Sequence, residues 1–339
     1  MAATPAAILR RLSQNFQIIK IKQKFCLEFS CFPPCKRSQR EIRKLGMYHI
    51  NLWEGNFLTI ELSMLVPHVP SMCHQDQVPV FQQDMAAGMK EIGKRLQRLK
   101  PDVIVLVSCH WPSTFFHYVD CTPVHKGILT AFEAPDLIKD VSYHFPGDEE
   151  LANELVSAGQ DAGLQVQGVN DPYYIWDYGS VVPLRYLVPD EDIPVINLSV
   201  TLAASLEETY KWGQVIAKVL RESEKKVVFV SSGALSHNLV RGRHNVPTIT
   251  EHAMDKQFIE FVMNKNYQEA FSMLPEYARF ARVESGGRHL AMLFSMIENE
   301  CVPAYHADGQ SSGSWNALIT FENTKTAETN ETAVNEYVK

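Results

Sequence analysis

The sequence predicts an α/β fold, a single domain with a mainly parallel central sheet covered by helices on both faces. Two observations predict it. Apolar runs rich in Val and Ile alternate along the chain with segments whose apolar residues recur at gaps of three and four. Several of these runs lack polar alternation, which is typical of strands buried on both faces. Strands and helices that alternate in this way usually form parallel sheets with helical crossovers.

Five strand candidates share this continuous apolar character, and we expect them to form the central sheet. Their high content of β-branched residues favours extended backbone. The five candidates are 58–66, 102–108, 193–200, 226–232 and 316–322.

Helical periodicity is clearest over 79–99, where six apolar residues fall on one face: Phe81, Met85, Met89, Ile92, Leu96 and Leu99. Another helix is predicted after Ser205, because Ser205 and Glu208 have the spacing of a capping box. Further helices are predicted from near Asp148, over about 250–264 and over about 286–299.

The two ends of the chain differ from the middle. We assign 1–56 to a basic N-terminal extension, 57–322 to the α/β domain and 323–339 to a polar disordered tail. The first 25 residues contain several aliphatic residues and no acid, as a transit peptide does, although a gene start placed upstream of Met47 would look the same. We expect a cytoplasmic protein, with a mitochondrial location as the alternative if residues 1–46 are a transit peptide.

Composition argues against several classes of protein. With 45% hydrophobic and 21% charged residues, the 339-residue chain can fill a sizeable core. The net charge of -7 gives no electrostatic reason to expect nucleic acid as a partner. No apolar run approaches the roughly 20 residues of a membrane span. The seven cysteines follow neither a zinc nor a disulfide pattern, so we predict free thiols.

Polar side chains follow several predicted strands, at the sheet edge where functional groups of α/β proteins gather. His68 follows the first strand, His110 ends the second, and His237 follows the Ser-Ser-Gly after the fourth. Glu284 precedes a pair of glycines and the last predicted helix. Taken singly, each residue could instead have a purely structural role. A histidine after a strand is often a hydrogen-bonded loop residue, and an acid is favoured near a helix N-terminus. Together, two histidines and one carboxylate match the facial triad of non-haem Fe(II) enzymes.

Six segments occur in the order and approximate spacing of the class III extradiol ring-cleaving dioxygenases, the protocatechuate 4,5-dioxygenase beta-subunit type. They are "PHVPSM", "SCHW", "GILTAFEAPDLIKDVSYHFPGDEELANEL", "WDYGSVVPL", "SSGALSHNLVRGR" and "VESGGRH". The chain resembles this family over about 58–321. The resemblance implies an Fe(II)-dependent catalytic domain that inserts both atoms of O2 into a catechol- or 2-aminophenol-type ring, with cleavage next to the heteroatom pair.

By position, the resemblance implies that His68, His110 and Glu284 are the iron ligands and that His237 is an acid/base residue. Tyr178 stands where many relatives have a second acid/base histidine, and the 2-aminophenol 1,6-dioxygenase branch is similar to this sequence there. A tyrosine with an ordinary pKa of about 10 donates a hydrogen bond but is a poor base at neutral pH. Alternatively, Tyr178 only packs in the pocket wall.

The resemblance also implies the partners, which are a small aromatic substrate and O2. Family members commonly form homo-oligomers or pair with a second subunit, and either is open for this chain. Two other functions stay open at the sequence level. One is a non-catalytic metal-binding or interaction protein on the same scaffold. The other is a zinc-dependent hydrolase, which uses similar ligand types.

Overall fold

The computed structural model describes residues 60–298 and 300–323. The predicted N-terminal extension at 1–56 lies outside the described residues, and so does the predicted tail beyond residue 323. The domain boundaries therefore stay predictions. Cys26, Cys31 and Cys35 also lie outside, whereas the described cysteines are free and buried, at Cys73, Cys109, Cys121 and Cys301.

The described part of the chain contains ten strands. They are β1 (Ile60–Val66), β2 (Val103–Ser113), β3 (His117–Asp120), β4 (Val124–Leu129), β5 (Val141–Pro146), β6 (Val166–Val169), β7 (Val195–Thr201), β8 (Val227–Ser232), β9 (Val302–Ser311) and β10 (Ser314–Glu322). Eight form one sheet in the order β6-β3-β7-β2-β8-β1-β10-β9, and β4 and β5 form a separate antiparallel pair. The central strands β7, β2, β8 and β1 are parallel. The predicted mainly parallel sheet is thus confirmed, and the five predicted strands are its adjacent middle members.

Seven α-helices lie in the same part of the chain. They are α1 (Gln83–Leu99), α2 (Glu149–Asp161), α3 (Tyr178–Leu187), α4 (Leu206–Glu222), α5 (Ile249–Met263), α6 (Tyr267–Phe280) and α7 (Arg288–Met296). The sequence pattern predicted five of them and missed α3 and α6. Each missed helix contains an internal proline, Pro183 or Pro275, which weakens a helical pattern.

Two hydrophobic cores cover the two faces of the sheet. In β2, Val103, Val105 and Val107 belong to the core that also contains residues of α2 and α4 to α7. The alternate residues Ile104 and Leu106 belong to the core formed with α1, α3 and the β4–β5 pair. Because both faces of the strand are buried, the run is apolar throughout, as the sequence indicated.

Only half of the predicted capping box is present at the start of α4. The Ser205 hydroxyl accepts a hydrogen bond from the Glu208 backbone N–H at 3.1 Å. The Glu208 carboxylate instead lies 3.4 Å from His117 Nε2. A complete box caps α5, where Thr248 and Glu251 bind each other's backbone N–H groups.

None of the helices within residues 60–298 and 300–323 is long and apolar enough to cross a bilayer.

Gly93 on α1 lies close to the backbone of α3, and this contact leads to a stability prediction. A Cβ at this position would lie 2.2 Å from the backbone oxygen of Tyr186. Gly→Ala in a helix usually stabilises by roughly 0.5–1 kcal/mol. Here we expect Gly93→Ala to destabilise by about 1–3 kcal/mol, because the helices must separate.

Urea denaturation measures the effect, with Lys90→Ala on the exposed side of α1 as the control. The control is expected to change stability by less than about 0.5 kcal/mol. A stabilised Gly93→Ala variant would contradict the close packing of α1 on α3.

Candidate metal centre

His68, His110 and Glu284 converge at one end of the sheet. One ligand atom from each lies within 4.8 Å of the others. The Glu284 Oε1 atom is 3.2 Å from His68 Nε2 and 3.4 Å from His110 Nε2. His68 and Glu284 are buried, and His110 is partly exposed. The three residues that the sequence singled out are therefore brought together.

The parallel pairing of β1 with β8 and of β8 with β2 explains this convergence. Because adjacent parallel strands end at the same edge, the residues that follow them lie side by side. His68 follows β1 by one residue, and the segment that carries His237 follows β8 directly. His110 comes from β2, the other neighbour of β8.

The prediction that β2 ends at His110 is wrong, because the strand continues to Ser113. Pairing of β2 with β8 stops at Ser108, and pairing with β7 is irregular between Val107 and Pro112. His110 thus lies in an interrupted stretch of the ladder. Irregularities of this kind re-aim side chains and tolerate proline.

A tight turn places Glu284. The next three residues, Ser285, Gly286 and Gly287, have φ values of 50°, 64° and 78°. Glycine adopts these left-handed values without strain, which explains the glycine pair after the acid. The Glu284 backbone N–H also donates to the Leu235 carbonyl at 3.1 Å, which ties the turn to the segment after β8.

Glu284 is an ionised carboxylate in a buried position. Burial alone would raise its pKa, but the imidazoles of His68, His110 and His237 outweigh burial and hold the pKa of Glu284 well below its usual range. Its second oxygen, Oε2, accepts a hydrogen bond from the Ala234 backbone N–H at 2.5 Å. The carboxylate keeps Oε1 directed toward the histidines.

The hydrogen bonds of His68 select its tautomer. Its Nδ1 lies 3.0 Å from the Ser232 hydroxyl oxygen, and that hydroxyl donates its own proton to the Gly179 carbonyl at 2.5 Å. Ser232 can therefore only accept from His68, so Nδ1 carries the hydrogen. Nε2 is then the nitrogen that faces Glu284 Oε1, at 3.2 Å, and a cation bound between these two atoms would use the Nε2 lone pair.

His237 lies beside the three candidate ligands. Its Nε2 is 3.8 Å from Glu284 Oε1, and its side chain is 26% exposed. Burial lowers the pKa of His237, and the neighbouring imidazoles of His68 and His110 lower it further. A neutral imidazole open to solvent on one side can accept a proton.

A buried carboxylate outside the centre holds the residue before His237. Asp255 on α5 accepts hydrogen bonds from the Ser236 backbone N–H at 3.0 Å and the Ser236 hydroxyl at 2.7 Å. The Tyr277 hydroxyl donates to the same carboxylate at 2.5 Å. Burial raises the pKa of Asp255, and the hydrogen bonds from Tyr277 and Ser236 offset part of this increase. The segment before His237 is thus anchored to α5 and α6.

Tyr178 packs against the candidate ligands. Its ring centroid lies 4.0 Å from that of His110 and 5.7 Å from that of His68. Asp177, the N-cap of α3, accepts from the Ser180 backbone N–H and from the Ser108 hydroxyl. Burial raises the pKa of Tyr178, so its hydroxyl stays protonated.

Several residues that hold this arrangement were not predicted from the sequence. Ser232 belonged to a quoted motif without a role of its own, and Asp255, Asp177 and Glu133 were not singled out. The Glu133 Oε1 atom lies 3.8 Å from His110 Nδ1. The N-cap contact of Asp177 with Ser180 is local and has a sequence signal. The contacts of Ser232, Asp255 and Glu133 have none, because they join segments that are separated in sequence.

The donor set fits a divalent metal of the non-haem iron type. It consists of neutral imidazole nitrogens and one ionised carboxylate, without a thiolate. The Nδ1-protonated tautomer of His68 supports this fit, and so does Glu284, whose Oε1 faces the histidines while Oε2 accepts the Ala234 N–H. A site with three protein ligands leaves coordination positions for other molecules.

The chain is similar to known ring-opening enzymes. The family described as "Catalytic LigB subunit of aromatic ring-opening dioxygenase" matches residues 62–320. The chain is 27% identical to the 3,4-dihydroxyphenylacetate 2,3-dioxygenase of Escherichia coli, over 70% of this chain and 90% of that one. It is 26% identical to the 2-aminophenol 1,6-dioxygenase beta subunit of Pseudomonas sp, over 75% of this chain and 91% of that one.

A solved structure shares the fold. An uncharacterized protein from Escherichia coli K12 superposes with a TM-score of 0.58 at 20% identity, covering 77% of this chain and 99% of the other. At this identity the likeness supports the α/β fold alone.

The Ser232 contact generates a prediction on metal affinity. We expect Ser232→Ala to weaken divalent-metal binding by roughly 10- to 100-fold, because the variant removes the acceptor that orients His68. Anaerobic competition with a chromophoric chelator measures the dissociation constant.

Ser231→Ala is the matched control. Ser231 is equally buried in β8, but its hydroxyl donates to the His289 carbonyl and not to a candidate ligand. The control is expected to lose stability without losing metal affinity. Equal weakening of metal binding in both variants would contradict the orienting role.

Proposed function

The chain belongs to the family of catalytic LigB subunits of aromatic ring-opening dioxygenases, and from this premise we propose that it uses Fe(II) and O2 to cleave a catechol- or 2-aminophenol-type ring next to the heteroatom pair. The observation that carries the proposal is the convergence of His68, His110 and Glu284 within 4.8 Å. These three residues would hold the iron. Bound there, Fe(II) would accept the vicinal heteroatoms of the substrate and transfer electron density from the ring to O2.

His237 acts as the acid/base residue in this proposal. Its position beside Glu284 and its lowered pKa support a neutral imidazole at neutral pH. It accepts the proton of the substrate hydroxyl on binding, and the imidazolium returns a proton when the ring opens.

Tyr178 serves as a hydrogen-bond donor rather than as a second base. Burial and nearby carboxylates keep its hydroxyl protonated, which supports this role. One base is sufficient for an aminophenol, because an amino group bound in place of a second hydroxyl changes the number of protons to be moved. The lack of a second acid/base histidine is compatible with the 2-aminophenol class.

The remaining proposals concern partners and location. A relative of this chain is named as the beta subunit of a dioxygenase, so we propose that this protein also assembles, as a homo-oligomer or with a second subunit. We propose a cytoplasmic location, with mitochondria as the alternative if 1–46 is a transit peptide.

An oxygen-uptake assay tests the reaction. We expect anaerobically purified, Fe(II)-loaded protein to consume O2 with 2-aminophenol or catechols and to form a coloured semialdehyde. Protein loaded with Zn(II) is the control, and it should be inactive in ring cleavage. Nitric oxide binding seen by EPR distinguishes Fe(II) from zinc. Folded, iron-loaded protein that consumes no O2 with either substrate class would refute the proposal.

Single variants separate the roles of the residues. Glu284→Ala should lose bound iron. His237→Phe should keep iron and lose roughly 10²- to 10⁴-fold in kcat. Because the pKa of His237 is lowered, the acid limb of the kcat/KM profile should lie below pH about 6.5, the ordinary histidine value. Iron loss in the His237 variant and iron retention in the Glu284 variant would mean that the assignments are reversed.

A further inference from the structure

One exposed carboxylate beside the candidate centre has no part in the chemistry described so far. Glu133 lies in the loop between β4 and β5, and its side chain is 59% exposed. Its Oε1 atom is 3.8 Å from His110 Nδ1, whereas the other ring nitrogen of His110 faces Glu284. Glu133 thus lies on the side of the imidazole opposite the buried carboxylate.

The loop that carries Glu133 is held in place. Backbone hydrogen bonds of 3.0 Å join Ala131 N–H to the Ile138 carbonyl and Ile138 N–H to the Ala134 carbonyl. Ala131 and Ile138 are buried. A substrate that reaches His110 from solvent therefore meets Glu133 at a defined place.

Glu133 is the exposed and weakly paired carboxylate near Tyr178. After burial, the groups that raise the pKa of Tyr178 include Glu133, Glu284 and Asp177, all of them acidic. Glu284 is balanced by imidazoles, and Asp177 accepts from Ser108 and Ser180. Among the residues that the structure describes, the ion-pair contact of Glu133 is His110 alone.

We propose that Glu133 selects the ring substituent, so that the site prefers catechol-type rings with a cationic amino side chain over rings with a carboxylate. This inference rests on the proposed function, because a ring bound at the centre lies beside Glu133. An exposed ion pair changes a dissociation constant about 1.4- to 5-fold. Because Glu133 attracts an ammonium group and repels a carboxylate, the dissociation constants of the two kinds of ring should differ about tenfold.

Anaerobic binding to the full-length, Fe(II)-loaded protein tests the preference without turnover. The probes are dopamine, 3,4-dihydroxyphenylacetate and the neutral 4-ethylcatechol, and tryptophan fluorescence reports their dissociation constants. The variants are Glu133→Gln and Glu133→Lys. Glu91→Gln is the matched control, since Glu91 is an exposed acid on α1 that pairs with Lys94. Oxygen uptake with the three probes is measured separately.

We expect the wild type and Glu91→Gln to bind dopamine about ten times more tightly than 3,4-dihydroxyphenylacetate. Glu133→Gln should bring the two dissociation constants within about twofold, and Glu133→Lys should reverse their order. Affinity for 4-ethylcatechol should hardly change. An unchanged ratio in Glu133→Gln overturns the inference, and equal weakening of all three probes overturns it in favour of an orienting role on His110. Absence of binding and oxygen uptake with every probe would overturn this inference by excluding the catechol class, whereas the proposed function fails only if 2-aminophenol gives no oxygen uptake either.

Discussion

A carboxylate removed from water costs several kcal/mol unless hydrogen-bond donors and positive charge surround it. Glu284 meets this requirement with the Ala234 N–H on one oxygen and the imidazole edges of His68 and His110 near the other. The groups that stabilise the carboxylate come from β1, from β2 and from the segment after β8. These three strands are neighbours in the sheet, which brings the groups together. The same residues that make the buried acid tolerable also form the candidate metal centre, so the stability of the buried acid and the proposed function depend on one arrangement.

The sequence was most informative where burial is greatest. The five predicted strands form the middle of the sheet, because a strand covered on both faces must be apolar throughout. Strands β3, β4, β5, β6 and β9 escaped prediction. They lie at or near the sheet margins or in the small second sheet, where polar residues such as His117, Lys126 and Gln167 interrupt the pattern. Helices α3 and α6 were hidden by their internal prolines.

The residues of the candidate site also fall into those that the sequence predicts and those that it does not. His68, His110, His237, Glu284 and Tyr178 were identifiable because they belong to short motifs with a known order. Ser232 bonds His68 across 164 positions, and the contact of Glu133 with His110 depends on how the β4–β5 loop folds over β2. Local propensity holds no information about such long-range pairs. His110 lies beside the other two candidate ligands, but the extension of β2 beyond it was not predicted, because it depends on the interrupted pairing with β7.

The hydrogen-bond chain from His68 through Ser232 to Gly179 has a consequence for how this protein can diverge. It joins one candidate ligand to the first turn of the helix that begins at Tyr178. A side chain at Gly179 would meet the Ser108 hydroxyl at 2.4 Å, so that turn cannot shift freely. Substitutions at 68, 108, 179 and 232 should therefore be epistatic. New ring specificities are more accessible through the exposed loops than through this inner network.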